Sequence, residues 1–529
     1  MDILCSLSLK ESLNTYFELP QDTIIYVPHL SFNGGIRLIK QALADPSIKV
    51  YKGDVRRKTE KQRWLQHLTV GAANPSVFQI KLSNGVRILD YSKFDPTPDD
   101  ELTVEYMQPL ANLLVTEYGA PITPSSIIKS AIPLLNTVQG KNTYGSQILD
   151  FTKEQRAYSH RALFGGAVYN MKSNGAYTLI DNETHIDYHQ MYAHIMKNYP
   201  FPDVASGFIV SPGYEPYPLA VYHICGGRIK LRKDGFPLLA LEHKFDVDRE
   251  SYFADWHEIP WQYLTEPDLQ TLFNNFAVDP DNPIEIDETF RYNRSADGAL
   301  VFGSFIDDIY KKRQNSEGSI KRFFKMLNEY LPGSFERRGE DGGFWKDLSG
   351  PIPGKITQYN SIIGAFVTAY GRQLLSSLLH IFPYKTVLGY DTDCVFFHGT
   401  PEQVPQKVMN RFGDGVGQLH FDGIYQQVRH LSPKQYYGFN NGEVFGKFSA
   451  VPHGDEVAAK LIEYKDNLTV APVVQILYMW DNKEQEYVQE EIPARLSLEN
   501  YVNPNIKKPT FNCGLLIWPG DITNEQESK

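Results

Sequence analysis

Thr386-Val387-Leu388-Gly389-Tyr390-Asp391-Thr392-Asp393-Cys394-Val395-Phe396-Phe397 sets two carboxylates between two short apolar runs. Each run is β-prone and bounded by turn-forming residues, which predicts a hairpin with the acids at its tip. Residues i and i+2 of a strand share a face, so such a tip can aim both acids at one point. Charges at the ends of apolar strands are costly unless they are solvated or bound to a cation. By itself the tripeptide fits an Asp-rich turn and a divalent-metal site equally well.

A further acid lies well upstream, in His185-Ile186-Asp187-Tyr188-His189-Gln190-Met191-Tyr192-Ala193. Tyr177-Thr178-Leu179-Ile180 before it is β-prone, and Tyr192-Ala193-His194-Ile195-Met196 reads as the first turns of a helix. A strand that ends in Asp and feeds a helix puts the carboxylate at a sheet edge. Taken alone, Asp187 reads most simply as a helix N-cap.

Four segments form an ordered set: Asp187-Tyr188-His189-Gln190-Met191-Tyr192, Lys321 to Gly333, Leu388-Gly389-Tyr390-Asp391-Thr392-Asp393, and Lys434-Gln435-Tyr436. In order and spacing they resemble motifs A, B and C and the later Lys-x-Tyr motif of family B DNA polymerases. The match is best to the protein-primed subgroup of small phages and linear plasmids, and runs from about Thr23 into the region after Lys447. The resemblance implies a mixed α/β (α+β) fold: a right-hand polymerase with palm, fingers and thumb behind a ribonuclease-H-like exonuclease remnant. The implied divisions are an exonuclease-like domain over 1–125, a linker over 126–178 and a first palm part over 179–264. An insertion that contacts the priming protein follows over 265–312, fingers over 313–335 and a second insertion over 336–356. The palm then resumes over 357–437 and a small thumb closes the chain over 438–529.

Size and composition agree with such a protein. The chain has 529 residues, 42% of them hydrophobic and 22% charged, the balance of an ordinary globular protein with room for several domains. Cys5, Cys225, Cys394 and Cys513 have neither zinc spacing nor a disulfide framework, so a reducing cytoplasm is expected. The apolar stretch from Ile362 to Phe382 is interrupted by Arg372 and Gln373 and reads as a buried helix rather than a membrane span. Net charge is −11, which opposes nucleic-acid binding as a total. A groove needs only a local positive field, and basic residues gather at Arg56 to Lys58, Arg228 to Lys233, and Lys311 to Lys325.

In the family's chemistry, joining a nucleotide to a 3′-hydroxyl uses two divalent ions about 3.5–4 Å apart. Mg²⁺ prefers oxygen ligands and keeps waters and substrate phosphates, so few carboxylates suffice. The resemblance makes Asp187 and Asp393 the ligands of two Mg²⁺ ions, with Mn²⁺ as an alternative and Asp391 a close, indirect contributor. Lys321 and Lys325, one helical turn apart, fall where the family binds the deoxynucleoside triphosphate, and Arg313 lies just upstream. Tyr188 falls where backbone meets the triphosphate, and Tyr192 where a ring under the sugar excludes a 2′-hydroxyl. Lys434 and Tyr436 correspond to residues that hold the primer. Gly165 and Gly166 correspond to a Gly-Gly turn at the DNA, with Leu163 in place of the family's tyrosine. The implied partners are template and primer DNA, the triphosphates and a terminal priming protein.

The pattern breaks in two places. Where the family reads Lys-x-x-x-Asn-Ser-x-Tyr-Gly, Glu329 replaces the asparagine and Pro332 the tyrosine; a one-residue slip returns an amide as Asn328. In the exonuclease motifs nothing before Phe32 has the form Asp-x-Glu, Phe32 is followed by Asn33, and Leu110 stands four residues after Tyr106 in place of the acid. The first domain is thus expected to lack proofreading. Two other readings are a degenerate polymerase that binds nucleic acid or a priming protein without turnover, and an RNA-synthesising relative, which Tyr192 opposes.

Overall fold

Short β-branched and aromatic runs, cut by Gly, Pro and Asn turns, give strands that outnumber helices among the described residues. The structure is a computed structural model. It describes residues 3–5, 14–27, 35–52, 77–90, 113, 158–159, 161–170, 180–203, 206–239, 255–259, 261–334, 361–432, 434–448, 455, 458–459, 462, 470–481 and 486–497. The chain forms two units: Met1–Glu154, Gly298–Asn360 and Tyr478–Glu490 in one, Gln155–Asp297, Ser361–Leu477 and Glu491–Lys529 in the other.

The first unit holds β1 (Ile3–Cys5), β2 (Ile24–Val27), β3 (Lys49–Lys52), β4 (Val77–Lys81) and β5 (Arg87–Asp90) in one sheet of order β1-β2-β5-β4-β3. β1, β2 and β5 are parallel, and β3 and β4 continue antiparallel. The helix Gly35–Ala44 puts Leu38, Ile39 and Ala42 into a core with Ile25, Val27, Ile80 and Ile88. Phe32, Asn33, Tyr106 and Leu110 lie outside the described residues, as does the second insertion expected over 336–356. The same unit contains two helices that pack together, Ser304–Gln314 and Gly318–Ser334. The second runs through Pro332. The proline falls in the last turn, where little helix remains to be disrupted.

The second unit is built on a seven-stranded sheet and a four-stranded one. Its strands are β6 (Val168–Asn170), β7 (Ile180–Tyr188), β8 (Pro200–Pro202), β9 (Phe208–Pro212), β10 (Ala220–Gly226), β11 (Arg228–Leu231), β12 (His257–Glu258), β13 (Gln262–Thr265), β14 (Phe276–Val278), β15 (Glu285–Tyr292), β16 (Ser295–Asp297), β17 (Val387–Asp391), β18 (Cys394–His398), β19 (Leu419–Ser432), β20 (Gln435–Asn440) and β21 (Glu443–Phe448). The large sheet has order β21-β20-β19-β7-β18-β17-β6, and the smaller β13-β10-β15-β9. The helix Ser361–Leu379 is long and apolar enough to cross a bilayer but lies mostly buried inside this unit, as the sequence predicts. It packs on Glu266–Asn275 and on Met191–Asn198. Two last strands, β22 (Val470–Asp481) and β23 (Glu486–Ser497), pair with each other.

Strand pairing runs across two of the expected divisions. The chain does not leave this body at 264/265: β13 and β15 flank β10 in one sheet, and Leu269 and Leu272 join its core. Nor does it leave the large sheet at 438, because β20 and β21 continue it as a hairpin through Asn441-Gly442, both at positive φ. Asn-Gly is the favoured two-residue turn for such a hairpin.

Candidate active site

Asp391 pairs with Cys394 across the β17–β18 turn, Cys394 pairs with Asp187 on β7, and Asp187 pairs with His420 on β19. Directly opposed residues of antiparallel strands project to the same face, so these four form one row across the sheet. Asp393 lies in the turn itself, and its carbonyl accepts the Tyr188 N–H at 3.2 Å, which sets it beside the end of β7. Asp187, Asp391 and Asp393 therefore lie at the same end of neighbouring strands, all half-buried. β18 stands between Asp391 and Asp187, placing their Cα atoms about 10 Å apart by strand spacing. Asp187 is not an N-cap: the Met191–Asn198 helix is capped by Gln190, in left-handed conformation and without a side-chain cap bond.

The acidic turn is held in an unusual shape. Thr392 has φ 59°, a strained value for a β-branched residue. Its N–H donates to the Ala167 carbonyl at 2.7 Å and its hydroxyl to Asp391 at 3.0 Å. Gly165-Gly166 abuts this turn, and a Cβ on Gly166 would lie 2.7 Å from the Thr392 side chain. Arg372, from the core helix, donates to the Phe164 and Gly165 carbonyls at 3.0 and 2.6 Å and pairs with Asp268 at 2.7 and 2.9 Å. Gly166→Ala is thus expected to displace the Asp391-Thr392-Asp393 turn and to destabilise the unit by about 1–3 kcal/mol. Urea unfolding of the purified variant measures this.

The carboxylates act on one another. Burial pushes the Cys394 thiol well above its ordinary pKa, and Asp187, Asp422, Asp393 and Asp391 push it further. Four negative charges thus bear on one buried thiol. Hard oxygen donors at a half-buried edge, gathered against their own repulsion, fit a divalent cation of the Mg²⁺ or Mn²⁺ kind. Lys434, itself at φ 63°, reaches Asp391 at 2.9 Å and offsets part of the charge.

The β19–β20 corner folds over the same face. Tyr436 packs its ring among His185, Phe396, Tyr425 and His430. Beneath it, buried Glu183 accepts from His185 at 2.5 Å and from His430 at 2.9 Å. Burial pushes the Glu183 carboxyl up, but the charges and hydrogen bonds of His430 and His185 outweigh it and hold the pKa at about 2, against an ordinary 4.5. A carboxyl depressed in the folded state stabilises above its unfolded value and loses that contribution as pH falls through the folded one. Stability is accordingly expected to drop between about pH 4.5 and about pH 2. Glu183→Gln should flatten that drop in denaturant midpoints measured against pH.

Tyr188 is buried on the opposite face, where its hydroxyl accepts from Arg411 at 2.5 Å. Its side chain is thereby held on the face away from Asp187. Tyr192 is half-buried on the Met191–Asn198 helix against Gly371, whose missing side chain admits the ring. Lys321 and Lys325 lie exposed one turn apart on Gly318–Ser334, with Phe323, Phe324 and Leu327 on its buried side. Lys325 pairs with Glu329 at 3.6 Å. Arg313, half-buried, closes the last turn of Ser304–Gln314. In the Arg228 to Lys233 cluster, Arg228 is turned to Asp279 and Arg232 to the Phe276 carbonyl.

Sequence reading missed His420, Asp422 and the Asp268–Arg372 pair. A ring nitrogen of His420 and one oxygen each of Asp187 and Asp422 lie within 4.8 Å of one another, a set able to hold a metal ion. The signal was Leu419-His420-Phe421-Asp422, polar at alternate positions of a strand.

No family model and no curated protein matches the chain. Solved structures do. The phi29 DNA polymerase complexed with primer-template DNA and incoming nucleotide substrates superposes with a TM-score of 0.66 at 14% identity, over 92% of this chain and 93% of that one. The same polymerase complexed with single-stranded DNA gives 0.62 at 13% identity, over 92% and 93%. The chain therefore has the fold of phi29 DNA polymerase along nearly its whole length.

Proposed function

We propose that this protein is a template-directed DNA polymerase that adds deoxynucleotides to a 3′-hydroxyl, starting from a priming protein and without proofreading. The observation that carries the reading is the strand register that sets Asp187, Asp391 and Asp393 at the same end of neighbouring strands, within a fold shared with phi29 DNA polymerase. Positive φ at Gln190, Thr392 and Lys434 supports it, since strain of this kind collects at functional sites.

Asp187 and Asp393 hold the divalent ions, which when bound activate the attacking oxygen and steady the leaving pyrophosphate. Asp391, paired to Lys434, shapes the field around them. Lys321, Lys325 and Arg313 supply cations to the triphosphate. The backbone at Tyr188 lies along it, and the Tyr192 ring packs under the sugar. Lys434 and Tyr436 hold the primer end, so Lys434 links primer position to the acidic turn. Gly165 and Gly166 let the DNA backbone approach. Residues 265–312 meet the priming protein, and the first domain retains its sheet without the acids that editing needs.

Primer extension with purified protein, Mg²⁺ or Mn²⁺ and defined templates tests this. Incorporation should follow the template, and a single-stranded oligonucleotide should stay intact. The Lys325–Glu329 pair, where the family has asparagine, favours a second reading: a polymerase-like protein that binds DNA or a priming protein without turnover. Binding without incorporation in the same assay would establish it instead.

A further inference from the structure

β19 carries a bulge at the acidic edge. Phe421 pairs with Ile186 and Gly423 with His185, so Asp422 is the extra residue between them. A bulge of this kind re-aims a side chain, and here an Asp422 oxygen comes within 4.8 Å of both an Asp187 oxygen and a His420 nitrogen. His420 supplies the nitrogen of this set. Its Nδ1 lies 3.1 Å from the Asp187 carbonyl, which can only accept, so Nδ1 carries the proton and Nε2 keeps its lone pair. The His189 ring stacks on it at 3.8 Å and 2°, restricting its rotation.

We infer that Asp187, His420 and Asp422 form a mixed nitrogen–oxygen site for a first-row transition dication such as Mn²⁺, held in preference to Mg²⁺. This rests on the reading of Asp187 as a metal ligand and adds the choice of ion. Ligands at about 2.1 Å from a six-coordinate ion stand roughly 3–4.3 Å apart, and the three atoms already lie within 4.8 Å of one another. Imidazole is a poor ligand for hard Mg²⁺ and a good one for transition dications, whereas carboxylates accept either. A centre of three aspartates would not discriminate in this way. Recruiting His420 through the bulge gives it a reason to.

The test is pulsed electron paramagnetic resonance of Mn²⁺ added to the full-length protein, with no DNA or nucleotide present. The expected result is ¹⁴N modulation from one imidazole, which changes to the ¹⁵N pattern when the histidines are ¹⁵N-labelled. It should persist in His189→Gln and vanish in His420→Gln. Mn²⁺ affinity should fall about tenfold or more in His420→Gln and in Asp422→Asn, while Mg²⁺, titrated as a competitor, holds its affinity in His420→Gln. Absence of nitrogen modulation in the wild-type protein overturns the inference without any variant having to fold. Modulation that survives in His420→Gln overturns it too. Templated synthesis without nitrogen coupling would sink this inference alone, and coupling in a protein that incorporates nothing would sink the polymerase reading alone.

Discussion

Asparagine at Asp187 or at Asp393 is expected to slow templated incorporation by about a thousandfold or more, the scale of losing several kcal/mol of metal-borne stabilisation. Asparagine keeps the size and removes the charge. Asp187 sits at the end of β7 with its strand paired on both sides, so the backbone there is fixed by neighbours rather than by its carboxylate. Asp393 likewise gives the sheet its carbonyl, which the substitution leaves in place. Stability should therefore change little, or rise, because four carboxylates bear on Cys394 and one is neutralised. Asp391→Asn should cost less activity, since Asp391 is a strand further from Asp187 and already paired with Lys434. Single-turnover primer extension with each variant, beside its melting curve, measures both effects. Equal rates in wild type and Asp187→Asn would remove the acidic row from the mechanism.

The second large effect is on stability. Asp268→Ala is expected to destabilise the second unit by about 3–5 kcal/mol, because it leaves the Arg372 guanidinium buried and unpaired. Both side chains are almost fully excluded from water, joined by bonds of 2.7 and 2.9 Å. Asp268 is fixed in turn by the Thr265 cap of its own helix. Arg372 also fastens the Phe164 and Gly165 carbonyls, so the loss should loosen the Gly-Gly turn beneath Thr392 and lower activity with stability. Replacing both partners, Asp268→Leu with Arg372→Met, should recover much of the stability but not the turn. Urea unfolding of the three variants separates these outcomes.

The hairpin around Asp391-Thr392-Asp393 and the Ser361–Leu379 helix were legible because apolar runs of the right length end at polar or turn residues there. The joining of that hairpin to Asp187 was not in the periodicity. It entered through the order of motifs, and the strand register then supplied the geometry. His420 and Asp422 showed only as polar alternation, because hydropathy marks a strand but not the bulge that turns Asp422 toward its neighbours. Arg372 read as an interruption of an apolar run, since nothing local announces that its partner comes from the helix beginning at Glu266.

The central claim is that Asp187 and Asp393 jointly hold divalent ions over the end of a growing strand. Anomalous diffraction from Mn²⁺, in crystals of the protein with primer–template DNA and an incoming nucleotide, tests it most directly. Two peaks about 3.5–4 Å apart are expected, both within bonding distance of those two carboxylates. A nucleotide bound with its phosphates away from the β7 edge, and no peak between Asp187 and Asp393, would contradict it.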